Sequence, residues 1–151
     1  MEYELILAKM MRLCSMSEHC KSDVLKKVES LDASDAAKVI DTLCENDFIN
    51  EHRYAKAFAR DKSSLQGWGE MKIRVALSQK KIAPEVITEA ISSIDSEAAR
   101  KKLTSLMLAK MKALSGEGDE QIKKVKLFRY LTGRGYNYDL IKQIYDNIRS
   151  N

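Results

Sequence analysis

Laid over itself at an offset of 54 residues, the sequence reproduces its own apolar pattern: Ile73 meets Leu127, Leu77 meets Leu131, Ile82 meets Tyr136, Val86 meets Leu140 and Ile87 meets Ile141. At an offset of 49, Val24 meets Ile73 and Val28 meets Leu77, and two extra residues bring Val39 and Ile40 onto Val86 and Ile87. Any two amphipathic helices can be aligned somewhere, but here the turns between the matched helices are also similar in length. A period near fifty residues implies stacked supersecondary units, each too small to complete a core by itself.

The expected fold is therefore all-α: three tandem three-helix repeats, 1–49, 50–95 and 96–151, in an elongated, curved array. Helical spacing of apolar residues places the helices near 2–14, 16–31 and 35–46, then 51–66, 70–80 and 84–94, then 96–115, 119–132 and 138–149. Local signals punctuate them. Ser15 and Glu18 form a capping box, Asn50 caps the fourth helix with Ile49 and Tyr54 as a hydrophobic staple, and Gly69 caps the fifth with Trp68 and Ile73 as another. Tyr54, Phe58 and Leu65 form the buried stripe of the fourth helix. The single proline, Pro84, suits a first helical turn, and Gly133 suits a C-cap. No segment alternates in the manner of a strand.

Charge is distributed unevenly. Residues 53–82 carry eight basic side chains (Arg53, Lys56, Arg60, Lys62, Lys72, Arg74, Lys80 and Lys81) against Asp61 and Glu70, net +6, whereas the whole chain is only +4. The fifty-two residues before this block are net −5, with six basic and eleven acidic side chains. Arg53, Lys56 and Arg60 share one helix face and Arg74, Ser78 and Lys81 share another, so the fields of two adjoining helices add. Such a block points to a polyanionic or acidic macromolecular partner rather than to a small metabolite.

Other chemistries find little support. Neither of the two histidines stands beside a serine or cysteine with a third partner, so nucleophilic catalysis lacks its parts and no catalytic residue is assigned. His52 reads as a surface side chain, and the Gly67-Trp68-Gly69 turn lacks the Lys-Ser/Thr ending of a phosphate loop. Asp139, Asp146, Glu117, Asp119 and Glu120 read as helix-end and loop charges. Cys14, Cys20 and Cys44 are odd in number and sit on or beside apolar faces, which argues for buried free thiols; Cys14, His19 and Cys20 match no zinc spacing. No metal or cofactor is expected. Met10, Met11, Met107 and Met111 read as core fillers. With 44% hydrophobic and 32% charged residues, and neither a cleavable signal nor a membrane span in view, the expectation is an ordered, cytoplasmic monomer.

The central block resembles the RecX family of bacterial regulators of the RecA recombinase. The matching residues are Phe48-Ile49-Asn50-Glu51, Arg53-Tyr54-Ala55, Phe58, Asp61-Lys62, Gly67-Trp68-Gly69, Ile73, Leu77 and Gln79-Lys80-Lys81-Ile82, and a weaker likeness covers nearly the whole chain. The resemblance implies a non-enzymatic regulator that binds in the groove of a RecA filament on DNA and suppresses its ATP hydrolysis, strand exchange and co-protease activity. It assigns partner binding to the eight basic residues of the block, and more weakly to Lys123, Lys124, Lys126 and Arg129; Trp68, between two glycines, is a weaker partner-binding candidate as an interface anchor beside its reading as a staple onto Ile73. The chain departs from the family pattern at Met16, where relatives often carry a basic residue. Two other readings stay open: a sequence-tolerant DNA binder with basic helices on phosphate, and a helical scaffold for another partner.

Overall fold

A computed structural model of the chain describes residues 2–31 and 34–150. Among the described residues there are nine α-helices and no strand: α1 (Tyr3–Met16), α2 (Lys21–Leu31), α3 (Ala36–Glu45), α4 (Glu51–Ser64), α5 (Glu70–Gln79), α6 (Pro84–Ser92), α7 (Ser96–Ala113), α8 (Glu120–Gly133) and α9 (Tyr138–Ser150). Pro84 opens α6, where its missing N–H has no intrahelical partner to lose. Asn50 caps α4 through its side-chain oxygen, which accepts the Arg53 amide at 3.0 Å. Asp95 and Asp119 do the same for α7 and α8.

The capping box expected at Ser15 and Glu18 does not form. α1 runs on to Met16, so Ser15 lies in its last turn and its hydroxyl donates to the Met11 carbonyl at 2.7 Å. α2 instead begins at Lys21, whose amide donates to the Glu51 carboxylate at 2.9 Å. Leu65 is also corrected: α4 ends at Ser64, and Leu65 lies outside the helix and 72% exposed. The buried stripe of α4 is Tyr54, Ala55 and Ala59, with Phe58 half-buried beside Tyr54.

Three helices end in one motif. At the end of α5 the Ile82 amide donates to the Leu77 carbonyl at 3.2 Å and the Lys81 amide to Ser78 at 2.9 Å. At the end of α8, Tyr136 donates to Leu131 at 3.2 Å and Gly135 to Thr132 at 2.9 Å; at the end of α3, Phe48 donates to Leu43 and Asp47 to Cys44. These are the paired bonds of a Schellman cap, which needs a left-handed residue. Asp47 (φ 61°), Lys81 (φ 64°) and Gly135 (φ 99°) supply it. The expected C-cap glycine, Gly133, is the last residue of α8, because that helix runs one residue longer than its apolar pattern; Gly135 carries the bend. The offset of 54 thus superposes Lys81 on Gly135 and the buried pairs Leu77/Leu131 and Ile82/Tyr136.

The chain divides into two compact units: Met1–Phe58 with Leu77–Ala90, and Ala59–Ala76 with Ile91–Asn151. The core of the first is built by Ile6, Met10 and Cys14 from α1, Val24 and Val28 from α2, Val39, Ile40 and Leu43 from α3, and Ile49. In the second, Leu103 and Met107 from α7 meet Leu127, Phe128 and Leu131 from α8 and Ile141, Ile144 and Tyr145 from α9. Phe128 meets Tyr145 edge to face, with ring centroids 5.4 Å apart. Met10 and Met107 are buried and Met11 and Met111 pack partly buried against the two cores, as their spacing implied.

Candidate partner-binding surface

The basic block is divided between the two units, and acids already hold part of it. In the first unit Arg53 donates to Glu18 at 2.5 Å, to the Asp47 carboxylate at 2.8 Å and to the Asp47 carbonyl at 2.9 Å. Lys56 pairs with Glu89 at 2.8 Å, and the same carboxylate meets His52 at 3.1 Å. Lys80 pairs with Asp23 at 2.9 Å. Hydrogen bonds from Asn50 and Arg53 hold the Asp47 carboxyl below its ordinary range, and those from Lys56 and His52 do the same for Glu89. Burial pushes Asp23 upward, but the bonds from Lys80 and Cys20 together with the charges of Lys80 and Lys26 outweigh it, and the net shift is down. Arg53 and Lys80 are correspondingly raised by their carboxylate partners.

Pairs this exposed add little to stability. Their larger effect is on the field. One guanidinium between two carboxylates projects little positive potential, so the net charge of the block overstates what a partner would meet at Arg53. Lys81 is different: it is exposed, and no ion pair reaches it among the described residues. It lines a cleft of about 720 Å³ with Lys21, Lys26, Glu29, Asp41 and Glu51 around Leu25 and Ile40, so the charges there are of both signs.

The second unit holds Arg60, Lys62, Lys72 and Arg74. Arg74 pairs with Glu70 one turn earlier at 3.0 Å. Lys62 and Lys72 place their ammonium groups 4.7 and 4.5 Å from the centre of the Trp68 ring, a cation–π arrangement that keeps both cations beside the indole. Trp68 is half-buried and lines the same pocket as Ile73. Arg60 is exposed and lines a trough of about 530 Å³ with Lys101 and Lys102 of α7. Of the residues given weaker weight, Lys123 pairs with Glu120 and Lys126 with Glu117, Lys124 lies over the rings of Phe128 and Tyr145, and Arg129 is exposed.

The Gly-Trp-Gly turn is fixed by a second glycine turn, Gly133-Arg134-Gly135. The Gly69 amide donates to the Arg134 carbonyl at 2.8 Å and the Met71 amide to the Gly135 carbonyl at 2.9 Å. In return, the Arg134 guanidinium donates to the carbonyls of Gln66 and Gly67, and the Tyr136 hydroxyl donates to Gly67 at 3.0 Å. The amides of Gly69 and Met71 at the start of α5 are thereby satisfied by the carbonyls of Arg134 and Gly135, the two residues that follow α8, so the N-terminal end of one helix meets the C-terminal end of the other. Arg134, Lys101 and Lys102 were not singled out from the sequence. The available signal was the pair of glycines at 133 and 135, which marks a turn but does not say what docks on it.

Among the described residues no three His, Cys, Asp or Glu side chains are grouped as metal ligands. Cys14 and Cys20 are buried and Cys44 is half-buried, all as free thiols; burial pushes the Cys14 and Cys44 thiols up, away from reactive thiolate. No described helix is long and apolar enough to cross a membrane.

The family model of the second three-helix domain of RecX matches residues 50–91. The regulatory protein RecX of Chlorobium phaeobacteroides (strain BS1) is 30% identical over 144 residues, covering 91% of this chain and 89% of that protein. The regulatory protein RecX of Clostridium botulinum (strain Eklund 17B / Type B) is 36% identical over 118 residues, covering 78% of this chain and 55% of that one. The chain thus spans about half the length of the clostridial relatives it matches. Two solved structures share the fold at 22% identity: a crystal structure of regulatory protein RecX, with a TM-score of 0.86 over 95% of this chain and 71% of that one, and RecX from Lactobacillus salivarius, with a TM-score of 0.82 over 97% and 98%.

Proposed function

This chain belongs to the RecX family of regulatory proteins, and from that membership we propose that it is a negative modulator of RecA, lodging in the groove of the RecA–DNA filament. Bound there, it slows ATP hydrolysis, strand exchange and co-protease activity, and so acts in DNA repair and the SOS response. It works as a cytoplasmic monomer and performs no chemistry of its own. Three tandem repeats, 1–49, 50–95 and 96–151, give it several weak contacts whose combined effect is strong binding.

The observation that carries this reading is the middle segment, where the family match coincides with cations left unneutralised by neighbouring acids. Arg60, Lys72 and Lys81 have no ion pair among the described residues, and Arg60 and Lys81 are exposed. Rim charges of this kind speed association with an oppositely charged surface. The same cations favour a second reading, direct phosphate contact with the DNA inside the filament.

The test is RecA-dependent ATP hydrolysis on single-stranded DNA across a titration of this protein. Inhibition, with no ATP hydrolysis by the protein alone, is the expected outcome. An unchanged rate on preformed filaments would overturn the regulator reading.

A further inference from the structure

Two clefts of the second unit share part of their walls. One, of about 280 Å³, is walled by Trp68, Ile73, Ile91, Ile94, Tyr136 and Leu140. The other is the trough of about 530 Å³ that holds Arg60, Lys101 and Lys102. Ser63, Ile94 and Ala99 line both, so the apolar pocket adjoins the cationic trough. We propose that this composite cleft receives an acidic segment of the partner protein, with one large apolar side chain in the pocket and flanking carboxylates along Arg60, Lys101 and Lys102. The proposal rests on the regulator reading and adds to it the chemistry of the segment bound.

Size and charge both favour this occupant. The pocket lies just below the span of small-molecule sites, roughly 300–1,000 Å³, and suits one aromatic or branched side chain, the usual anchor of an interface hot spot. In the trough, Arg60 and Lys102 have no ion pair among the described residues, and Lys101 reaches Glu97 only at 3.8 Å with both side chains almost wholly exposed. The one acid lining the trough, Asp95, accepts the amides of Glu97 and Ala98 as the cap of α7. The trough therefore presents positive potential to an arriving carboxylate.

A nucleic acid fits less well. Glu70 and Arg100 also line the pocket, so it offers no net positive charge to a phosphate. The Trp68 ring already carries the ammonium groups of Lys62 and Lys72, where a stacking platform needs a face open to the base.

Trp68 is the only tryptophan in the chain and lines the pocket, so its emission reports on it directly. The probe is an acetylated, amidated peptide of aspartate and glutamate around a central phenylalanine, titrated against the full chain without RecA. The expected result is a saturable change in Trp68 emission that the same peptide with alanine at its centre does not give. Affinity should fall by about tenfold in the double variant Lys101→Glu/Lys102→Glu and stay within about twofold in Lys27→Glu, an exposed site in the first unit. Ala99→Phe, folded by circular dichroism, should fill the pocket and abolish the response. No saturable change, equal affinity for the alanine peptide, full affinity in the double variant, or tighter binding of an oligothymidylate with the same emission change would each overturn the proposal. RecA separates the two readings. Peptide binding without any effect on RecA ATP hydrolysis sinks the regulator reading alone, whereas inhibition of RecA without peptide binding sinks the cleft proposal alone.

Discussion

Gly69 and Gly135 are packed so closely that neither has room for a side chain. A Cβ on Gly69 would collide with the carbonyl group of Gly135, and one on Gly135 would meet the Lys72 backbone and Cβ. Gly135 is also left-handed, at φ 99°. Gly69→Ala and Gly135→Ala should therefore each destabilise the fold by roughly 2–3 kcal/mol, as a clash that only backbone movement can relieve. Gly133→Ala is the contrast, because that glycine is helical and a Cβ there meets nothing within 4 Å. It should stabilise by about 0.5–1 kcal/mol. Urea midpoints of the three variants decide the matter.

Lys81 holds a left-handed conformation that a lysine adopts only at a cost. Lys81→Gly should raise stability by about 0.5–1 kcal/mol, read as a higher melting temperature. If the exposed cation serves binding, the same variant should inhibit RecA less while being more stable. Unchanged inhibition would remove Lys81 from the interface.

Charge reversal should separate paired from unpaired cations. Arg53→Glu sets a third carboxylate beside Glu18 and Asp47 and removes the bond to the Asp47 carbonyl, so it should cost about 1–2 kcal/mol of stability. Arg60→Glu breaks no ion pair among the described residues and should change stability by less than about 0.5 kcal/mol while weakening inhibition of RecA. Denaturant melts and ATP hydrolysis, measured side by side, check both halves.

The ion pairs also predict a pH dependence. Asp23, Asp47 and Glu89 have folded pKa values lowered from 3.8, 3.8 and 4.5. A lowered folded value means that the unfolded chain binds protons first, so this stability is complete above those ordinary values and is lost as pH falls below them toward the folded ones. Lys80→Met removes the partner of Asp23. The stability gap between this variant and the parent should shrink as pH falls from about 5 to below the lowered pKa, and a gap that is constant across that range would show that Asp23 gains nothing from Lys80.

Most of the fold was legible because its signals are local. The apolar spacing of Val24, Ile73 and Leu127, the Asn50 cap and Pro84 each act within a few residues, and each lies where its pattern implied. What the sequence hid is tertiary. Ser15 and Glu18 have the spacing of a capping box, but Arg53 takes the Glu18 carboxylate from a position 35 residues away. Leu65 continues the α4 periodicity by one step after the helix has stopped. Counting charges located the basic block, yet the acids that quench Lys56 and Lys80 lie outside it, at Glu89 and Asp23. The trough beside Arg60 joins two helices separated by more than thirty residues, and no local pattern marks Lys101 and Lys102 as its other wall.

The three matched helix ends have a wider meaning. What recurs at Asp47, Lys81 and Gly135 is a torsion angle rather than a residue type, so the chain can turn the same corner while changing what the corner displays. At one corner the carboxylate gathers Arg53, at the next an ammonium group projects outward, and at the third a bare backbone receives Lys72. Leaving glycine at such a corner costs only about 0.5–1 kcal/mol. The bends at Asp47 and Lys81, where a side chain has room, are therefore the places where the surface charge of the protein can be rewritten without redirecting a helix.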